Sequence, residues 1–154
     1  MTYYLITLLS ALSWFMTVIK PFDTTDNKST TGNNFLISSK MKIIIGSKTF
    51  TATLNDSEAA KAFKAMLPLT LNMDDFNRNE KKYDFPKSFP TKSVNPKNIK
   101  TGDLMIWSGN TLVLFYKSFP TPYSYTKLGQ IDDPTGLAAA LGAGSVTITF
   151  ESVN

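Results

Sequence analysis

At 154 residues, 42% of them hydrophobic, the chain has the size and apolar content of one folded domain. Its formal charge of +4 is milder than the footprint of a dedicated nucleic-acid binder. It contains no Cys and no His, which excludes disulfides, thiolate nucleophiles, imidazole or cysteine metal sites, and the Ser-His-Asp and Cys-His triads. Carboxylates, Lys, Tyr and a single arginine, Arg78, remain for chemistry.

The first charged side chain is Lys20, after an apolar run that includes Leu5, Ile6, Leu8, Leu9, Trp14, Phe15, Val18 and Ile19. Residues 1–20 therefore read as a signal peptide or membrane anchor, which places the rest exported or anchored at the cell envelope. No Lys or Arg precedes the run, so the competing reading is translation from Met41 and a cytoplasmic protein. Residues 21–40 are a polar linker rich in Thr, Asn, Ser and Asp, with one apolar patch at Phe35, Leu36 and Ile37.

From Met41 the pattern is that of strands. Ile43 to Ile45 and Thr49 to Leu54 flank a Gly46-Ser47 hairpin turn, and Phe50, Ala52 and Leu54 alternate with threonines. Asn55 with Glu58 three residues on predicts a capped helix burying Ala59, Ala62, Phe63 and Met66, ended by Pro68. A short strand is expected over residues 68–72. The polar stretch from Asp74 to Lys100 reads as a long functional or mobile loop. Leu104 to Trp107 and Leu112 to Tyr116, joined at Ser108-Gly109-Asn110, predict the central hairpin. A strand from Tyr123 to Ile131 follows, then a second short helix with Asp133 and Pro134 at its start, Leu137, Ala138 and Leu141 buried, and Gly142 as its stop. Val146, Ile148 and Phe150 alternate with Thr147 and Thr149 in a closing strand. The fold class is mainly β: a small closed β-barrel with two short helices over residues 41–154.

The segments Met41 to Leu54, Leu67 to Met73, Thr101 to Met105, Leu112 to Tyr116 and Gly129 to Pro134 resemble a bacterial family of small cyclophilin-like domains. The resemblance spans essentially Met41 to Glu151 and implies a cyclophilin-like barrel, often carried behind an export signal. True cyclophilins are prolyl isomerases with a Phe-His-Arg run on the active strand, and that run is absent here. A guanidinium aimed at the prolyl amide would have to come from Arg78, between Asn77 and Asn79.

The expected function is a non-enzymatic module binding a peptide or small ligand, with a weak or divergent peptidyl-prolyl isomerase as the alternative. Its expected ligand-binding residues are Arg78, Glu80, Tyr83, Tyr116, Tyr123 and Tyr125, drawn from the polar stretch and the tyrosines beside the Pro120 and Pro122 loop. Trp107 and Phe115 are expected in the core. Arg78, Lys81, Lys82, Lys87, Lys92, Lys97 and Lys100 form a basic strip that reads as solvated surface rather than a nucleic-acid track. Asp74-Asp75 and Asp132-Asp133 are neighbours whose side chains would diverge on a strand, so no metal site, catalytic residue or cofactor is expected. The membrane is engaged only through the N-terminal segment, and the barrel is expected to be monomeric.

Overall fold

The computed structural model describes residues 39–153. The expected leader and all of the linker but Ser39 and Lys40 lie outside the described residues. In chain order the elements are β1 (Lys40–Ile45), β2 (Lys48–Leu54), α1 (Glu58–Lys64), β3 (Leu69–Phe76), β4 (Glu80–Asp84), β5 (Asn98–Ile99), β6 (Asp103–Trp107), β7 (Thr111–Phe115), β8 (Phe119–Pro120), β9 (Thr126–Ile131), α2 (Leu137–Leu141) and β10 (Val146–Ser152). Eight strands close into an antiparallel barrel in the order β1-β10-β3-β4-β7-β6-β9-β2. The expected closed barrel with two short helices is therefore what the described residues form. Among the described residues, no helix is long and apolar enough to cross a membrane.

Strand alternation builds the barrel interior. Met41, Ile43 and Ile45 of β1 meet Phe50, Ala52 and Leu54 of β2, Leu104 and Ile106 of β6, Leu112 and Leu114 of β7, and Ile148 and Phe150 of β10. Phe63 of α1 plugs the interior and meets Phe150 edge to face, ring centroids 5.5 Å apart. Gly129 lets β9 cross β2 closely: a Cβ there would fall on the Thr53 carbonyl oxygen. A bulge at Leu128 accompanies that crossing, where the β6–β9 register shifts.

A second apolar cluster lies outside the barrel wall. Met105 of β6 and Val113 and Phe115 of β7 point outward and are covered by Ile99, Phe119 and Tyr125. Two pairings hold that cover down: β5 with β8, and a bridge between Val94 and Tyr125. Every residue of β7 is consequently buried.

Several local expectations are corrected. The cap of α1 is Ser57, whose Oγ accepts the Ala60 N–H at 3.1 Å, while Asn55 Oδ1 accepts the Ser57 N–H one turn earlier. Shifting the start of the helix turns its buried face to Ala59, Ala60 and Phe63 and leaves Met66 exposed. The helix ends at Lys64, before Pro68. Asp133 bonds the Thr135 N–H in a turn ahead of α2, which begins only at Leu137; Gly142 does stop it, and Ala138 is exposed. Residues 74–84 are no loop: they finish β3, turn at Asn77-Arg78 and supply β4 to the barrel. The strand expected from Tyr123 begins at Thr126.

The basic strip also needs correction at Lys81, which is fully buried. Its side chain points to the opposite face of β4 from Glu80 and Lys82, and its ammonium donates to Asp75 Oδ1 at 2.8 Å and to the Gly142 and Gly144 carbonyls at 2.9 and 2.6 Å. All three donor positions are used. The bond set ties the hairpin of β3 and β4 to the loop between α2 and β10. Lys81→Met would leave the Asp75 carboxylate short of its cation and the two carbonyls without a donor, so urea unfolding should show a loss of about 3 kcal/mol or more. An unchanged unfolding midpoint would refute that role.

Candidate functional site

Two elements build a groove on the outer wall. Alternation on β4 sends Glu80 and Lys82 outward, where they stand opposite Phe115 and Val113 of β7. The covering segment then returns over the wall and sets Phe119, Tyr123 and Tyr125 along one side. The turn after β3 contributes Phe76, Asn77 and Asn79, and Trp107 closes the far end. The resulting groove encloses about 360 Å³, within the range of small-ligand sites.

Its rim is aromatic and open, with Phe76 and Trp107 each 45% exposed and Tyr123 60% exposed. Its deeper side is fixed by packing. Tyr125 meets Phe115 edge to face at 5.5 Å between centroids, and Phe115 meets Phe119 at 5.8 Å. Burial raises the Tyr125 phenol above its ordinary value, against a hydrogen bond with Thr121 that acts in the opposite sense.

Glu80 lies on the groove floor, 9% exposed. No hydrogen bond or ion pair engages its carboxyl among the described residues. Burial pushes that carboxyl up to about 7, the Lys82 charge pulling it down and Asp75 adding to the rise. Lys82 is engaged elsewhere: its ammonium bonds Asp84 Oδ2 at 2.9 Å and lies 5.9 Å from the centre of the Phe76 ring. Asp84 also accepts from Thr111 Oγ1 at 2.6 Å, and this bond and the Lys82 contact hold its carboxyl below the usual range. Beside Glu80, Asn79 Oδ1 is buried without a hydrogen-bond partner.

Of the six expected ligand-binding residues, the groove thus brings together Glu80, Tyr123 and Tyr125. The other three lie apart from it. Arg78 is exposed at the tip of the turn, with φ of 55°. Tyr83 points inward and packs on the barrel core, against Phe85 at 5.0 Å. Tyr116 donates its hydroxyl to Asp75 Oδ1 at 2.7 Å, in the cluster with Lys81. Burial first, then Asp75, pushes the Tyr116 phenol up to about 12, while Lys81 and then Tyr116 hold the Asp75 carboxyl low. The expected core position of Trp107 is corrected: it is a rim residue, because it ends β6 beyond the cover. Phe76 and Asn79 also line the groove, brought there by the turn at Asn77-Arg78, which the polar composition of this stretch does not reveal.

Groups of three or more acidic side chains able to hold a metal do not occur among the described residues. Asp74 accepts from Ser145 Oγ at 2.7 Å and Asp132 bonds Lys40 Nζ and Thr53 Oγ1, so the paired carboxylates are spent on packing. A carboxyl titrating near neutrality can take or give a proton, and Glu80 does so under the influence of the Lys82 and Asp75 charges.

The model of the Cyclophilin-like family matches residues 43–151. Among solved structures, the solution structure of a hypothetical protein from Archaeoglobus fulgidus is similar, with a TM-score of 0.52 at 17% identity. The match covers 76% of this chain and 96% of that one, and it speaks for the fold alone. A search of curated protein sequences returned no match.

The raised carboxyl has a consequence for stability. An unfolded Glu80 loses its proton near 4.5, whereas the folded one keeps it to about 7. Between those values the native state holds more protons, so stability falls as pH rises and the penalty is complete above the upper value. It amounts to roughly 3 kcal/mol. Urea midpoints should therefore drop between pH 5 and pH 8 for the parent chain and stay nearly level for Glu80→Gln. A parent profile as level as that of the variant would show that the carboxyl is not desolvated.

Proposed function

The chain belongs to the Cyclophilin-like family, and from that premise we propose that it is a non-enzymatic module whose outer-wall groove binds a peptide or small ligand. One observation carries this reading: Glu80 is desolvated on the floor of an aromatic groove and serves no partner in the fold. Burying a carboxyl without a partner costs free energy, and the Lys82 charge offsets only part of it. Lys81, its neighbour on the same strand, shows what a structural charge looks like here, with each donor satisfied. Exposed rings at Phe76, Trp107 and Tyr123 supply apolar area around the unpaired group, the combination typical of small-ligand sites.

A divergent prolyl isomerase is the competing reading, and no contact favours it. Catalysis of that rotation asks for a fixed donor near the prolyl amide. The only guanidinium, Arg78, belongs to the exposed turn and does not line the groove.

Amide NMR spectra of the full chain, titrated with 2-phenylethanol, phenethylammonium and a capped aromatic–proline tetrapeptide, test the reading. At least one probe should shift resonances of Glu80, Trp107 and Tyr123. Replacing Trp107 and Tyr123 together by Ala should weaken that probe by about tenfold, the effect of losing aromatic anchors. Isomerisation of the tetrapeptide should remain at the uncatalysed rate with or without Arg78→Ala. Silence at the groove for all three probes, or turnover above background, would overturn the proposal.

A further inference from the structure

The groove contains two hydrogen-bond acceptors that the protein itself leaves without donors. Among the described residues Asn79 Oδ1 is buried without a partner, and Glu80, a residue 9% exposed, makes no hydrogen bond or ion pair. Buried acceptors are almost always satisfied, so the Asn79 orphan in a groove that also holds an unpaired carboxyl points to a donor that arrives from outside. Water alone is a poor answer for Glu80, which keeps a large desolvation penalty.

The surroundings select the kind of donor. The one cation in the groove, Lys82, is bonded to Asp84 at 2.9 Å and rests over Phe76, so it does not occupy the place beside Glu80. The groove that holds Glu80 is lined by the rings of Phe76, Trp107 and Tyr123, and aromatic faces attract cations and repel anions. An anionic ligand would meet both a carboxyl and these faces. A neutral donor would satisfy Asn79 but leave the carboxylate charge uncompensated. An ammonium carries three N–H donors and a full charge, enough for both acceptors.

A second hollow, of about 450 Å³, offers no equal case. Its lining includes Lys92, Lys100, Lys127 and Asp103, but Asp103 already accepts from Lys127 Nζ and from the Lys100 N–H, both at 2.8 Å. What remains there is surface lysine.

Building on the groove reading, we propose that its ligand is an organic ammonium with an apolar body, the charged end held by Glu80 and Asn79 and the body laid against Trp107 and Tyr123. Protonation of Glu80 then competes with the ligand. Binding should strengthen as pH rises through about 7, where the carboxyl loses its proton.

Phenethylammonium and 2-phenylethanol share a ring and a two-carbon chain and differ in charge, which makes them the probe pair for calorimetric and NMR titration of the full chain. At pH 8 phenethylammonium should bind about tenfold more tightly than 2-phenylethanol, the ratio expected of one desolvated charge pair. Its affinity should fall by about tenfold at pH 5.5, as the linked proton returns. Glu80→Gln should abolish both the preference and the pH dependence, and Asn79→Ala should weaken phenethylammonium. Equal binding of the two probes, or a preference that survives Glu80→Gln, would overturn the ammonium assignment and leave the groove reading standing. Absence of either probe from the groove would overturn both.

Discussion

Burial of β7 on both faces is the constraint on which the candidate site depends. Leu112 and Leu114 face the barrel interior, and Val113 and Phe115 face outward with equal need of cover. A single-walled barrel would leave those outward side chains in water. The chain between β4 and β9 supplies the cover by folding back over the wall, pinned through β5 with β8 and the Val94–Tyr125 bridge. That cover stops short of β4. The groove lies at its edge, lined by Glu80 as well as by Phe119, Tyr123 and Tyr125.

Two adjacent residues of β4 show how a period of two divides structural from functional charge. Lys81 turns inward and closes one end of the barrel through Asp75, Gly142 and Gly144. Glu80 turns outward and has no such set. A strand reading Glu-Lys-Lys-Tyr-Asp would look wholly solvated from composition, yet its first two side chains are buried, for opposite reasons. The inward ion pair is costly to dehydrate and is offset by complete hydrogen bonding; the outward carboxyl meets a similar cost by keeping its proton to higher pH.

Much of the barrel was legible in the sequence because its strands alternate clearly: β1, β2, β6, β7 and β10 all follow from apolar residues at every second position or in short runs. The hairpin of β3 and β4 was not, because polar residues fall on both of its faces and the hydrophobic period is lost. Helix starts slipped for a local reason. Asn55, Ser57 and Asp133 all favour turns as well as caps, and only the fold decides which hydroxyl or carboxyl meets an orphan N–H. Of the residues expected at a site, Glu80, Tyr123 and Tyr125 fall in one groove, and Tyr83 and Tyr116 could be separated from them only by knowing which face of the wall each occupies. Trp107 misled because a large aromatic at the end of an apolar strand is ordinarily core.

The account stands on the environment of one carboxyl. Glu80 is one of three glutamates, beside Glu58 and Glu151, so side-chain carboxyl NMR resonances can be followed across pH and assigned by their loss in Glu80→Gln. The account predicts that the Glu80 signal titrates at about 7 in the free protein. A midpoint near the ordinary glutamate value of about 4.3 would mean that water reaches the carboxyl freely, and would contradict the groove as a desolvated site.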